Sequence, residues 1–158
     1  MRTNHTPTSA PVINPAWKIA IVYSSYYPEE VSHLVQGAKD ALTDAGILAA
    51  NVSEHPVTGS FEIPLLGAAI AEKKVADAII GIGIIVEGET HHAGLVAHET
   101  ARGIMDVQVR YQMPFSFEVL YVKKLSQAKV RSAGAQNKGG EAARSVLHSL
   151  AEIAKLGS

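Results

Sequence analysis

Ala78-Ile79-Ile80-Gly81-Ile82-Gly83-Ile84-Ile85-Val86, followed by Glu87-Gly88-Glu89-Thr90-His91-His92, decides the fold. A nearly continuous β-branched run of this kind predicts a strand buried on both faces, as in a parallel sheet covered by helices. In open α/β sheets, ligands bind just beyond the carboxyl ends of such strands. Here that position carries a glycine that lets backbone approach an anion, a threonine hydroxyl and two imidazoles. Such a set suits a phosphate-bearing substrate that must exchange protons.

Working outward, Trp17 to Ser24 (WKIAIVYS) predicts a first buried strand, and Pro28 to Ala45 a helix. In that helix Val31, Leu34, Val35, Ala38, Ala41 and Leu42 recur at helical spacing, Pro28-Glu29-Glu30 suits the first turn, and Gly46 is the stop. A second strand is expected within Ala50 to Val57, then the turn Thr58-Gly59-Ser60, a helix from Ile63 to Lys74, and the third strand over Ala76 to Val86. Beyond it a long helix is expected from His92 to Tyr111, a fourth strand over Pro114 to Val122, and a short helix from Leu125 to Ser132. Asn137-Lys138-Gly139-Gly140 is expected to interrupt the chain before a last helix, Glu141 to Leu156, with Ala142, Ala143, Val146, Leu147, Leu150 and Ile153 facing inward. Strands alternating with helices predict one doubly wound α/β layer structure with right-handed crossovers. Residues 1–15 are expected to form a flexible tail, with Pro11-Val12-Ile13 a candidate to dock on a neighbouring copy, and residues 16–158 a single domain.

Bulk properties narrow the classes of function. The 158 residues suffice for one domain with a real core, and 47% hydrophobic with 18% charged residues is ordinary for a soluble globular protein. A formal net charge of -1 gives no broad footprint for nucleic acid or an anionic membrane. Without cysteine there is no disulfide, thiolate nucleophile or zinc–thiolate site, which fits the cytoplasm. Glycine and charged residues interrupt every apolar run before it reaches bilayer length, and Met1 to Pro15 lacks the apolar core of a signal peptide.

Three further segments should share the sheet edge defined by Gly88 to His92. In Ser24-Ser25-Tyr26-Tyr27-Pro28 a tyrosine either stacks on a planar heterocycle or covers the helix start. In Val57-Thr58-Gly59-Ser60-Phe61-Glu62-Ile63-Pro64, a carboxylate and a hydroxyl at a helix start can hold a polyol chain, which is compatible with a capped helix carrying Glu62 in its first turn. Phe117 reads as a core aromatic or a ligand contact, and Arg131 as a solvated side chain or a phosphate partner. The glycines of Gly81 to Gly88 do not open a helix at dinucleotide-fingerprint spacing, and no phosphate-loop Gly-Lys-Ser/Thr is present. On a helix, the adjacent His91 and His92 point about 100° apart, which argues against one shared metal.

Together these segments resemble the 6,7-dimethyl-8-ribityllumazine synthase family of riboflavin biosynthesis. The resemblance runs in order through Ile21-Val22, Leu34-Val35-Gln36-Gly37-Ala38, Gly59-Ser60-Phe61-Glu62-Ile63-Pro64 and Asp77-Ala78-Ile79-Ile80-Gly81-Ile82-Gly83. It continues through Gly88-Glu89-Thr90-x-His92, Gln127-Ala128, Arg131, Asn137-Lys138-Gly139 and Glu141-Ala142-Ala143. The resemblance implies a flavodoxin-like three-layer α/β/α fold with a parallel four-stranded sheet in the order 2-1-3-4. It also implies a homo-oligomer with sites between subunits, a pentamer or a 60-subunit shell of pentamers. The implied reaction condenses 5-amino-6-(D-ribitylamino)uracil with 3,4-dihydroxy-2-butanone 4-phosphate, losing phosphate and water, without a cofactor.

Residue by residue, the resemblance implies that Tyr26 stacks on the pyrimidine while Ser60, Phe61 and Glu62 hold the ribityl chain, with Lys138 nearby. Ile84, Ile85 and Val86 supply the strand end that reads the uracil edge, and Glu89 and Thr90 form the phosphate loop. His92 is the proton-transfer group, and the adjoining subunit contributes Phe117 and Arg131. The chain departs from the usual pattern at Thr58 (commonly Pro), Tyr26-Tyr27 (Phe-Asn), Glu87 (Arg or Lys), Ala93-Gly94-Leu95 (Phe-Asp/Glu-Tyr) and Glu118 (Gly). These departures motivate an alternative: a divergent or redesigned member with little catalysis that binds lumazine or flavin, or builds a shell.

Overall fold

The computed structural model describes residues 10–157. Four parallel strands, β1 (Ile19–Ser24), β2 (Val52–Val57), β3 (Ala78–Val86) and β4 (Phe115–Val122), form one sheet in the order β2-β1-β3-β4. The helices are α1 (Pro28–Asp44), α2 (Ile63–Glu72), α3 (His92–Tyr111), α4 (Leu125–Arg131) and α5 (Lys138–Leu156). Sheet order and alternation agree with the sequence expectation, and α3 has the expected bounds.

Each sheet face carries its own core. On one, Ile19 and Ile21 of β1 and Ile80, Ile82 and Ile84 of β3 pack under α1 and α5. On the other, Ala20 and Val22, Ile79, and Phe115 and Val119 of β4 pack under α2 and α3. Full burial of each such isoleucine contributes about 1.5–3 kcal/mol, which is why Ile19 to Val22 of β1 and all of β3 carry no polar side chain. The glycines of β3 face the α2/α3 side. A Cβ at Gly81 would stand 3.1 Å from Ile63 Cγ2 and from the Phe115 ring, and one at Gly83 would collide with Ser60 Oγ. Both glycines therefore let the start of α2 settle close onto the sheet, beside the strand's carboxyl end.

Two expectations need correction. The last helix begins at Lys138, not Glu141, so Gly139 and Gly140 lie inside it. The reason is a contact distant in sequence. A Cβ at Gly139 would collide with the Leu34 carbonyl of α1, and one at Gly37 with the Asn137 side chain. Asn137 caps α5 by accepting from the Gly139 N–H at 2.8 Å, and its amide donates to the His33 and Ser132 carbonyls at 2.8 and 2.9 Å. Ile153, expected inward, is 44% exposed because the core beneath α5 ends near Ala151.

Of the expected N-terminal tail, residues 1–9 lie outside the described residues. Ile13 packs on the core of its own chain, and the Pro15 carbonyl accepts from the Leu48 N–H at 3.3 Å. No helix among the described residues is long and apolar enough to cross a membrane.

Candidate functional site

Beyond the carboxyl ends of β1, β2 and β3 lies a cleft of about 780 Å³. The β1–α1 connection supplies Tyr26 and Tyr27, and the β2–α2 turn supplies Thr58 to Glu62. Ile84, Ile85 and Val86 form the end of β3, and the first turns of α3 add His92, Ala93, Leu95, Val96 and Glu99. The cleft thus sits where open α/β sheets place ligands.

Local bonds hold each wall. The Ser25 hydroxyl donates to the Val57 carbonyl at 2.7 Å, tying the end of β1 to the end of β2. Ser60 to Glu62 form a single 3₁₀ turn in which the Gly59 N–H donates to Glu62 Oε2 at 2.9 Å. Beneath it the fully buried Thr100 of α3 donates its hydroxyl to the Ser60 carbonyl at 3.3 Å. Helix α3 therefore carries His92 at its start and anchors the β2–α2 turn two helical turns later. The β1–β3 ladder ends at the Tyr23–Ile82 pair. The edge of Ile84 to Val86 turned toward β1 consequently has no strand beside it and can offer backbone donors and acceptors to a ligand.

The Gly88-Glu89-Thr90 loop leads into α3, where unpaired N–H groups and the helix dipole favour an anion. Thr90 Oγ1 already accepts from the His92 N–H at 3.3 Å, which orders this entry. His92 lines the cleft; His91 is the residue just before the helix. Glu99 is held below the usual carboxylate range, chiefly by its hydrogen bond from Arg102 and then by that guanidinium's charge. Tyr121, on β4 beside the loop, is raised above the usual phenol range by desolvation and then by the nearby Glu87 carboxylate.

The protomer therefore gathers Tyr26, Ser60, Phe61, Glu62, Ile84, Ile85, Val86 and His92 around one cleft, with Glu89 and Thr90 on the loop leading to it. Phe117, Arg131 and Lys138 do not line it. Phe117 lies half-exposed between β4 and the outer side of α3. Arg131 donates to its own helix at the Gln127 carbonyl at 2.8 Å, and Lys138 pairs with Glu141 at 2.6 Å. Sequence reasoning missed Val96, Glu99 and Thr100. The first two follow His92 at helical i+4 and i+7 spacing, a signal that was available; the bond from Thr100 to Ser60 had none.

A three-layer parallel α/β protein with its cleft closed by an imidazole-bearing helix start is the class these elements define. The family model described as 6,7-dimethyl-8-ribityllumazine synthase matches residues 16–154. Over 131 residues the chain is 35% identical to the 6,7-dimethyl-8-ribityllumazine synthase of Ruthia magnifica subsp. Calyptogena magnifica, covering 80% of this chain and 78% of that one. Over 136 residues it is 32% identical to the protein of the same name from Vesicomyosocius okutanii subsp. Calyptogena okutanii (strain HA), covering 82% and 81%. The chain belongs to the 6,7-dimethyl-8-ribityllumazine synthase family, and membership makes it an enzyme, a transferase of riboflavin biosynthesis.

Proposed function

We propose that the protein condenses 5-amino-6-(D-ribitylamino)uracil with 3,4-dihydroxy-2-butanone 4-phosphate, releasing phosphate and water. The observation that carries this reading is the convergence of Tyr26, the Ser60–Glu62 turn, the open edge of Ile84 to Val86 and His92 on one cleft. Tyr26 supplies a ring face for the pyrimidine, the unpaired strand edge meets the uracil amides, and Ser60 and Glu62 meet the ribityl hydroxyls. The butanone phosphate lies at Glu89-Thr90, against the start of α3.

Imine formation, elimination of phosphate and ring closure each move protons near neutral pH, which suits the His92 imidazole. Holding two reactants face to face supplies much of the remaining acceleration, so no strong nucleophile is required. Arg131 completes the phosphate site, and Phe117 and Lys138 the ring and ribityl sites, when a second copy brings them across the interface. Exposed apolar side chains support that assembly: Leu65, Met105 and Val109 project from the outer sides of α2 and α3. We take the assembly to be a cytoplasmic pentamer or a shell of pentamers.

A steady-state assay with both substrates tests the reaction; no lumazine above the uncatalysed rate overturns it. Quenched fluorescence of added riboflavin without product formation supports the binding-only alternative instead. Light scattering tests the assembly, and a lone monomer overturns it.

A further inference from the structure

Three non-glycine residues among those described have positive φ: Tyr27, Lys74 and Gln112. Lys74 and Gln112 follow the ends of α2 and α3, where a left-handed residue is an ordinary way to close a helix. Tyr27 stands at the opposite kind of position. It opens α1 with φ 53 and ψ 59 and makes no side-chain cap hydrogen bond. A residue opening a helix normally has extended backbone and a short polar side chain, and a bulky aromatic in the left-handed region is strained. Nothing in the helix asks for tyrosine here, because only its carbonyl serves α1, accepting from the Val31 N–H at 3.0 Å.

The compensation lies in where the ring goes. Tyr27 is half-buried, leans on the core beneath α1 and lines the cleft together with Tyr26. Tyr26 is 61% exposed and runs along the turn, its ring 3.4 Å from a Cβ built at Gly59. The two adjacent rings thus differ in kind: Tyr26 is an outer, exposed face, Tyr27 an inner one packed against the core.

We propose that Tyr27 is a specificity-determining residue, its packed ring forming an inner wall that favours a planar fused-ring heterocycle over a single pyrimidine ring. The inference rests on the proposed condensation only in taking this cleft as the heterocycle site. The backbone strain is retained because the wall contacts ligand.

The test compares binding of 6,7-dimethyl-8-ribityllumazine and of monocyclic 5-amino-6-(D-ribitylamino)uracil to the full chain by fluorescence and calorimetric titration. Tyr27→Asn removes the ring and accepts the left-handed backbone, so its unfolding midpoint should hold or rise. Its affinity for the lumazine should fall roughly 2- to 10-fold, the scale of one lost aromatic contact. Its affinity for the uracil should change less, and Tyr27→Phe should restore the preference. Tyr27→Leu, which keeps apolar bulk against the core, provides the same comparison should the Asn variant fold poorly. Lumazine affinity of folded Tyr27→Asn or Tyr27→Leu within twofold of the parent overturns the inference and makes the ring a core prop. A parent chain that binds the lumazine but makes no product defeats the proposed reaction alone; one that binds neither ligand defeats both.

Discussion

The two faces of the sheet are finished differently. Under α1 and α5 the helices meet through Gly37 and Gly139, Asn137 stitches them, and the outer side of α1 is polar, with Gln36–Asp40 and Lys39–Glu54 contacts at 2.7 and 2.8 Å. Among the described residues of these two helices, only the end of α5 exposes large apolar side chains, Ile153 and Leu156. Under α2 and α3 the core is likewise apolar, yet the outer side is studded with apolar residues, Leu65 at 74% and Val109 at 67% exposure. Phe117 and Tyr121 extend that apolar surface onto β4. Burying an apolar side chain is worth about 1.5–3 kcal/mol, so leaving several exposed on one face makes sense if that face meets another copy. We infer that the second, more open face meets another copy, while the closely packed first face presents Arg131 and Lys138 at one end.

The sharpest way to break this comparison is to charge the open face. Met105→Glu with Val109→Glu should leave helix content unchanged but shift light scattering to monomer, with activity falling to the uncatalysed rate. An intact oligomer would remove α3 from the interface. On the closed face, Gly139→Val forces a side chain onto the Leu34 carbonyl and should lower stability by roughly 1–3 kcal/mol in urea denaturation. An unchanged midpoint would mean that α5 shifts freely away from α1.

Between the faces, His92→Ala should reduce turnover about 10-fold, the low end for a general acid–base group, because such reactive partners also condense spontaneously. Unchanged turnover with normal folding would take His92 out of the chemistry. Thr100→Val strands the buried Ser60 carbonyl at a cost of about 1 kcal/mol. It should also raise KM for the ribityl substrate, and Thr100→Ser should restore it; a KM that stays fixed would confine Thr100 to stability.

The smallest effect concerns acid. Glu99 has a folded-state pKa below its ordinary value through Arg102, so the pair contributes stability above the usual carboxylate range and loses it as pH falls through the folded pKa. Arg102→Met, which also frees Asp106, should be slightly less stable than the parent at neutral pH, with the gap closing on acidification. A gap that persists in acid would point to packing instead of charge.

Much of this was legible in the chain. The β-branched run of β3 announced a covered parallel strand, the apolar spacing of α1 between Pro28 and Gly46 gave its extent, and Tyr26, Ser60 to Glu62 and His92 were readable as neighbours because each follows a strand. The failures share one cause. Gly139-Gly140 reads as a break when only local propensity is weighed, but the close approach of α1 makes it a helix. Ile153 fits the helical period, yet the core stops before it.

The sequence by itself determined which segments are strands and helices, and that strand-end residues share one edge, because those follow from side-chain periodicity and chain connectivity. Tertiary structure alone decided that Thr100 supports the Ser60 turn, that Tyr27 adopts a left-handed backbone beside the cleft, and that Arg131 and Lys138 stay away from it within one protomer. These depend on distances between residues far apart in the chain, which no local pattern encodes.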